Sequence, residues 1–173
     1  MESSAIRQPT RRSDWHDYFL SIAKQVQERS TCPRKQVGVV ITRDNVILAT
    51  GYNGSITRQP HCDEVGCMME NDHCVRTIHA EVNAITNAAK MGTSVNGGTM
   101  YCTGFPCWPC FKVVANAGIK TVYVTDYYRI NEVIWRPAYD LGIVFYIPVG
   151  SDPDGVTIFK EVDSLDFKCR RKS

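Results

Sequence analysis

The stretch "FPCWPC", residues 105 to 110, sets Cys107 and Cys110 three positions apart, and "HAE", residues 79 to 81, lies 28 residues before the first of them. Two cysteines at this spacing could form a disulfide, a redox pair or half of a metal site. The opening "MESSAIRQPTRRSDW" has no apolar core of signal-peptide length. Eight cysteines in a chain of that kind favour metal binding or catalysis over a disulfide framework, because a reducing compartment keeps thiols free. A redox Cys-x-x-Cys pair also sits where a strand runs into a helix, as these cysteines are expected to. The nearby His79 and Glu81 shift the weight to metal.

The physical case for a metal starts from helix geometry. Residues i and i+3 share one face of a first helical turn, so both sulfurs can reach a single zinc ion at about 2.3 Å. The free N–H groups and positive dipole end of a helix start stabilise thiolates there. Pro106 suits the entry of such a helix and removes a donor that would otherwise be orphaned. His79, at the start of the preceding helix, is the candidate third ligand. Three protein ligands leave the fourth tetrahedral position open, which is the mark of a catalytic zinc. Two thiolates cancel the charge of the ion and make it a milder Lewis acid, so a neighbouring base gains importance. Glu81 is the candidate base; its alternative role is that of an ordinary acidic residue at a helix N-terminus.

A second group lies in "HCDEVGCMMENDHC", which holds His61, Cys62, Cys67, His73 and Cys74. Residues 54 to 77 carry no hydrophobic period, and a loop of that length inside a compact domain needs a staple or a function. A closed four-ligand zinc site built from Cys62, Cys67 and Cys74, with His61 or His73 as substitutes, would order it. Buried unligated thiols are the alternative. Cys102 reads as strand core and Cys169 as an exposed thiol in the tail.

These residues must be positioned by an α/β framework. Apolar residues at Trp15, Tyr18, Phe19, Ile22, Ala23 and Val26 give a helical stripe over 13–30. "QVGVVIT" and "VILATGYN" read as a β-hairpin. Helices are expected over 78–92, 107–118 and 131–142, the last interrupted or bent at Pro137, with strands over 98–104, 120–126 and 143–149. This alternation predicts right-handed crossovers and a three-layer α/β/α domain around a mixed five-stranded sheet, spanning 13–150. Residues 1–12 read as a disordered arm and 151–173 as a peripheral tail, in which "DPDG" is a turn and lacks the spacing of a calcium loop.

Lys plus Arg number 20 against 18 for Asp plus Glu, a balance that calls for neither a nucleic-acid nor a membrane partner. No apolar run is long enough to span a bilayer, so a soluble, cytoplasmic protein is expected.

Taken together, "STC" (30–32), "VGVVI" (37–41), "GYNGS" (51–55), "HCVRTIHAEVNAI" (73–85), "FPCWPC" (105–110) and "AGIKTVY" (117–123) resemble the deoxycytidylate (dCMP) deaminases of bacterial and phage or viral type, within the cytidine deaminase superfamily. The signature H-x-E…P-C-x-x-C belongs to zinc deaminases generally. The resemblance implies a cytidine-deaminase-like fold and hydrolysis of dCMP to dUMP and ammonia, feeding thymidylate synthesis. It gives Glu81 the shuttling of protons, and His79, Cys107 and Cys110 the catalytic zinc. Cys32 and Cys62 correspond to ligands of a second, structural zinc, whose set Cys67 and Cys74 would complete, with His61 or His73 as substitutes. Asn53, the backbone N–H of Ala80, and Tyr127 would contact the nucleotide, and Arg76, with Arg34, Lys35 and Arg58, is a phosphate candidate. Gly51, Tyr52, Asn53 and Gly54 are where an effector would bind: the resemblance implies a homohexamer activated by dCTP with Mg2+ and inhibited by dTTP. Alternatives are a deaminase that also takes dCTP, or one acting on another cytosine nucleoside or nucleic acid. From a different class, the chain could be a zinc-ordered binding module, against which the intact His79, Glu81, Cys107 and Cys110 argue.

Overall fold

The computed structural model describes residues 12–126 and 132–162; Tyr127 and Cys169 lie outside the described residues. Helix α1 (Trp15–Gln27) starts where the Asp14 side chain accepts the His16 N–H at 2.8 Å, a standard N-cap. Strands β1 (Gly38–Arg43) and β2 (Val46–Tyr52) form the expected hairpin. Its turn residues Asp44 and Asn45 both have left-handed φ, the geometry that matches strand twist in a two-residue hairpin turn. There follow α2 (Cys62–Val65), the small hairpin β3 (Met69–Glu70) and β4 (His73–Cys74), then α3 (Ala80–Lys90). The rest alternates: β5 (Thr99–Cys102), α4 (Trp108–Asn116), β6 (Thr121–Val124), α5 (Trp135–Leu141), β7 (Val144–Ser151) and β8 (Thr157–Val162). A 3-10 turn at Glu132–Ile134 leads into α5, so Pro137 falls in the first turn, where no intrahelical N–H bond is lost.

The main sheet runs β2-β1-β5-β6-β7-β8, parallel from β5 to β7 and antiparallel elsewhere. Its two faces bury separate cores, read directly from strand alternation. Val39 and Ile41, Met100 and Cys102, Val122 and Val124, and Phe145 and Ile147 face α3, α4 and α5. Val40, Tyr101 and Tyr123 face α1 through Phe19, Leu20 and Ala23. That is the expected three-layer α/β/α arrangement of the cytidine-deaminase type.

The sheet has six strands where five were expected. The sixth, β8, lies beyond Ser151, in the stretch read from sequence as a peripheral tail, and it pairs antiparallel with β7 from Phe145↔Val162 to Ser151↔Thr157. Its turn is tied by Asp152, whose side chain accepts from the N–H groups of Asp154 and Val156 at 3.0 and 2.8 Å. Phe159 then meets Tyr123 edge-on at 5.1 Å, and Val162 is buried. The segment is too charged to advertise a strand, but only two apolar anchors on a sheet edge are needed. Residues 54–77, without period, do contain three short elements, held mainly by turns.

One glycine decides how α3 is seated. A Cβ on Gly51 would collide with the Ala84 N–H and lie 2.5 Å from the Ala80 carbonyl oxygen. Its absence lets the first turns of α3 lie directly on β2.

Candidate metal centre and its cleft

His79 and Cys107 occupy the N-cap positions of α3 and α4, both with extended backbone (φ −70°, ψ 153° and φ −74°, ψ 165°) and neither side chain capping its own helix. N-caps are ordinarily Ser, Thr, Asp or Asn, which satisfy a free N–H. Here the two side chains turn toward each other instead, while the free N–H groups remain around them. Cys110 follows three residues on, one turn into α4. Pro106 stands at the helix entry, directly before the N-cap, and Pro109 occupies the second helical position.

The three donor atoms converge. Nδ1 of His79 stands 3.4 Å from Cys107 Sγ and 3.3 Å from Cys110 Sγ, and all three atoms lie within 4.8 Å of one another. A tetrahedral zinc with ordinary Zn–N and Zn–S lengths needs ligand atoms about 3.6 Å apart, so the residues fit that ion. The thiols are also prepared for it. The hydrogen bond from Cys110 brings Cys107 down to about 4, while Cys107 and burial push Cys110 up. The pair therefore gives up one proton readily and keeps the second, a state that a divalent cation would complete. The hydrogen bond to Cys107 raises His79.

Glu81, at the second position of α3, is 4% exposed and not one of the three converging donors. Burial raises its pKa, opposed by His79 and by a hydrogen bond from Cys110. A buried carboxyl with a raised pKa beside three converging metal donors is suited to moving protons.

These groups form the floor of a cleft of about 510 Å³, within the range of small-molecule sites. Ala80, whose N–H is one of the free donors of the α3 start, Asn53, Phe105, Arg34 and Lys35 line it. Asn53 is 6% exposed, and its side chain is mostly committed to the fold: Oδ1 accepts from the Val37 N–H at 2.8 Å and the Ser30 hydroxyl at 2.7 Å, and Nδ2 donates to the Lys35 carbonyl at 2.8 Å. One Nδ2 proton is left over. Of the four phosphate candidates, Arg34 and Lys35 reach the cleft. Arg58 and Arg76 do not line it, and Arg76 Nε is buried without a partner among the described residues. Among the effector candidates, only Asn53 lines the cleft; Gly51 is accounted for by its contact with α3, and Gly54 bridges to Ile78.

The second cluster is a group of Cys62, Cys67 and Cys74 with sulfurs within 4.8 Å of one another. Cys62 and Cys74 are 3.7 Å apart, and both contact the Thr77 hydroxyl at 3.5 and 3.6 Å. Burial pushes Cys74 up, but hydrogen bonds from Thr77 and from backbone N–H groups outweigh it and leave the thiol at about 6; burial and Cys74 push Cys67 up to about 11. Cys32, His61 and His73 are not in this group. Cys32 and His73 line the catalytic cleft, and His61 Nδ1 pairs with the Thr31 hydroxyl at 3.1 Å. Thr77 and Asp126 were missed in the sequence. Nothing marks Thr77, but Asp126 follows the carboxyl end of a parallel strand, where ligands of open α/β sheets bind.

A three-layer α/β/α domain that joins one imidazole, two thiolates and a free buried carboxyl at two helix starts defines the zinc-dependent hydrolytic deaminase class. Residues 13–126 match the family model of the cytidine and deoxycytidylate deaminase zinc-binding region, and the chain belongs to that family. It is 48% identical over 118 residues to ComE operon protein 2 of Bacillus subtilis, covering 68% of this chain and 62% of that one. It is 32% identical over 123 residues to the deoxycytidylate deaminase of Mycobacterium phage D29, covering 64% of this chain and 94% of that one. The crystal structure of the dCMP deaminase from cyanophage S-TIM5 with dCMP and dUMP superposes with a TM-score of 0.67 at 32% identity, over 76% of this chain and 94% of that one. The chain spans 62% of the Bacillus protein and less than half of the length of the yeast deoxycytidylate deaminases it also matches.

Proposed function

We propose that the protein hydrolyses dCMP to dUMP and ammonia, supplying dUMP for thymidylate synthesis. The observation that carries this is Glu81, buried beside three converging zinc donors at the floor of a nucleotide-sized cleft with cations at its mouth. The names of the phage and yeast relatives, and the dCMP and dUMP bound in the S-TIM5 enzyme, support the substrate.

Zinc held by His79 Nδ1, Cys107 and Cys110 would supply Lewis acidity that makes water nucleophilic at neutral pH. Glu81 takes a proton from the attacking water and returns it to N3 of the cytosine, then takes the proton of the new C4 hydroxyl and delivers it to the departing amine, so that water enters at C4 and ammonia leaves. Its raised pKa lets one carboxyl serve as base and then as acid. The Ala80 N–H is directed to the base carbonyl, Asn53 offers its remaining amide proton to the sugar, and Arg34 and Lys35 receive the 5′-phosphate.

The three-sulfur cluster supports a second zinc on Cys62, Cys67 and Cys74, closing the 61–77 loop against the cleft wall that Cys74 and Thr77 help to form. A homohexamer with dCTP and Mg2+ as activator and dTTP as inhibitor belongs to the same reading; sigmoidal dCMP kinetics that dCTP abolishes would test it.

Ammonia release measured with dCMP, dCTP, deoxycytidine and an oligonucleotide tests the substrate. Turnover of dCMP above the rest is expected. Preference for dCTP or the nucleoside, or inertness toward dCMP, would overturn the reading.

A further inference from the structure

At the mouth of the cleft two distant segments meet through opposite charges. Lys35, between α1 and β1, places Nζ 3.3 Å from Oδ2 of Asp126, which stands just past the carboxyl end of β6. Both line the same cleft as His79, Glu81 and Cys107. Lys35 Nζ also lies over Gly104, 3.5 Å from where a Cβ would stand, just past the carboxyl end of β5. The pair therefore spans the ends of two parallel neighbours, β5 and β6, where the outer part of a ligand must sit.

The two cleft cations differ in what holds them. Arg34 is tied to a main-chain oxygen, donating to the Asp72 carbonyl at 3.3 and 3.4 Å, and so braces the β3–β4 hairpin. Lys35 is held by a carboxylate, and the pair is wet, with side chains 56% and 48% exposed. An ion pair so hydrated is easily opened by a stronger anion. A phosphate monoester near its dianionic form, with three acceptor oxygens, is such an anion.

Resting on the nucleotide reading above, we propose that Asp126 is a specificity-determining residue: it holds Lys35 across the cleft mouth and yields it to the 5′-phosphate of the incoming nucleotide. One ion pair is exchanged for another. A nucleoside without phosphate cannot drive the exchange and meets a mouth still bridged by the pair. Asp126 thus makes entry conditional on phosphate, at some expense in affinity for the true substrate.

The test compares kcat and KM for dCMP and deoxycytidine in the wild type, Asp126→Asn, Lys35→Met and the double variant, with melting curves on each. Asp126→Asn should lower KM for dCMP about two- to fivefold at low salt, the range set by releasing an exposed pair. That gain should shrink as salt rises. Lys35→Met should raise KM for dCMP by roughly tenfold or more, the loss of a charge-assisted phosphate contact. In the Lys35→Met background Asp126→Asn should bring no further gain, because the Lys35–Asp126 pair that the phosphate opens is already gone. An unchanged or raised KM in Asp126→Asn overturns the proposal, and so does a gain that persists without Lys35, which would be simple repulsion of phosphate by Asp126. A wild type inert toward dCMP refutes the nucleotide reading itself, whereas failure of the exchange alone leaves wild-type turnover intact.

Discussion

The two cysteine clusters use the same ligand chemistry in opposite settings. His79, Cys107 and Cys110 stand at the starts of α3 and α4, seated on the sheet through buried Ala80, Ala84, Phe111 and Val114. Cys62, Cys67 and Cys74 belong to a one-turn helix, a connection and a two-residue strand, with the Thr77 hydroxyl between two of the sulfurs. The first cluster is held by the fold; the second lies in a turn-rich loop that a metal on its sulfurs would close. A further difference is Glu81, buried beside the first group only. Thiolates and imidazole bind a metal, but a buried free carboxyl and an open cleft turn binding into hydrolysis.

That contrast breaks most sharply at Glu81. Glu81→Gln should keep metal content and melting temperature while turnover of dCMP falls by about 10²–10⁴-fold, the range for a general acid–base group; ammonia release with metal analysis on the same sample checks it. Cys107→Ser should remove one metal per chain together with activity. Cys74→Ser should also remove one metal, yet retain measurable turnover, with Tm lowered by roughly 5–10 °C as the 61–77 loop loosens. Equal activity losses in Cys107→Ser and Cys74→Ser would erase the distinction, and one metal per wild-type chain would leave the second cluster as thiols.

Smaller effects sharpen the comparison by testing what supports the first cluster. Gly51→Ala must push the start of α3 off β2 and should cost about 1–3 kcal/mol of stability, with turnover falling more than stability alone explains. Asn53→Ala strands the Val37 N–H and the Lys35 carbonyl, while the Ser30 hydroxyl keeps the residue-53 main-chain carbonyl at 3.1 Å, and should cost about 1–3 kcal/mol in chemical denaturation. Arg136→Ala, breaking an exposed i,i+4 pair with Asp140 on α5, should cost no more than about 0.5 kcal/mol and leave both clusters as they were.

Much of this was legible in the chain. The α3 and α4 helices and the parallel strands follow from period and alternation, and Cys107 and Cys110 pair through an i, i+3 spacing; His79 joins them through the H-x-E…P-C-x-x-C signature of zinc deaminases. The β8 strand was not legible, because "TIFKEV" offers little hydrophobic pattern and forms only when Tyr123 and the β7 edge are already in place. Nor was the make-up of the second cluster: Cys62, Cys67 and Cys74 converge without Cys32, since a segment without periodicity does not disclose which of its thiols will meet.

Sequence by itself determined the chemistry: which side chains can bind a divalent ion, which carboxyl can move a proton, and the helices that carry them. Tertiary structure alone decided the company those groups keep. It buried Glu81, turned two N-cap side chains from their helices toward one another, and set Lys35 against Asp126 across the cleft. The reason is that spacing along a chain constrains only neighbours within a turn or a hairpin. Contacts between residues tens of positions apart depend on how both cores of the sheet pack.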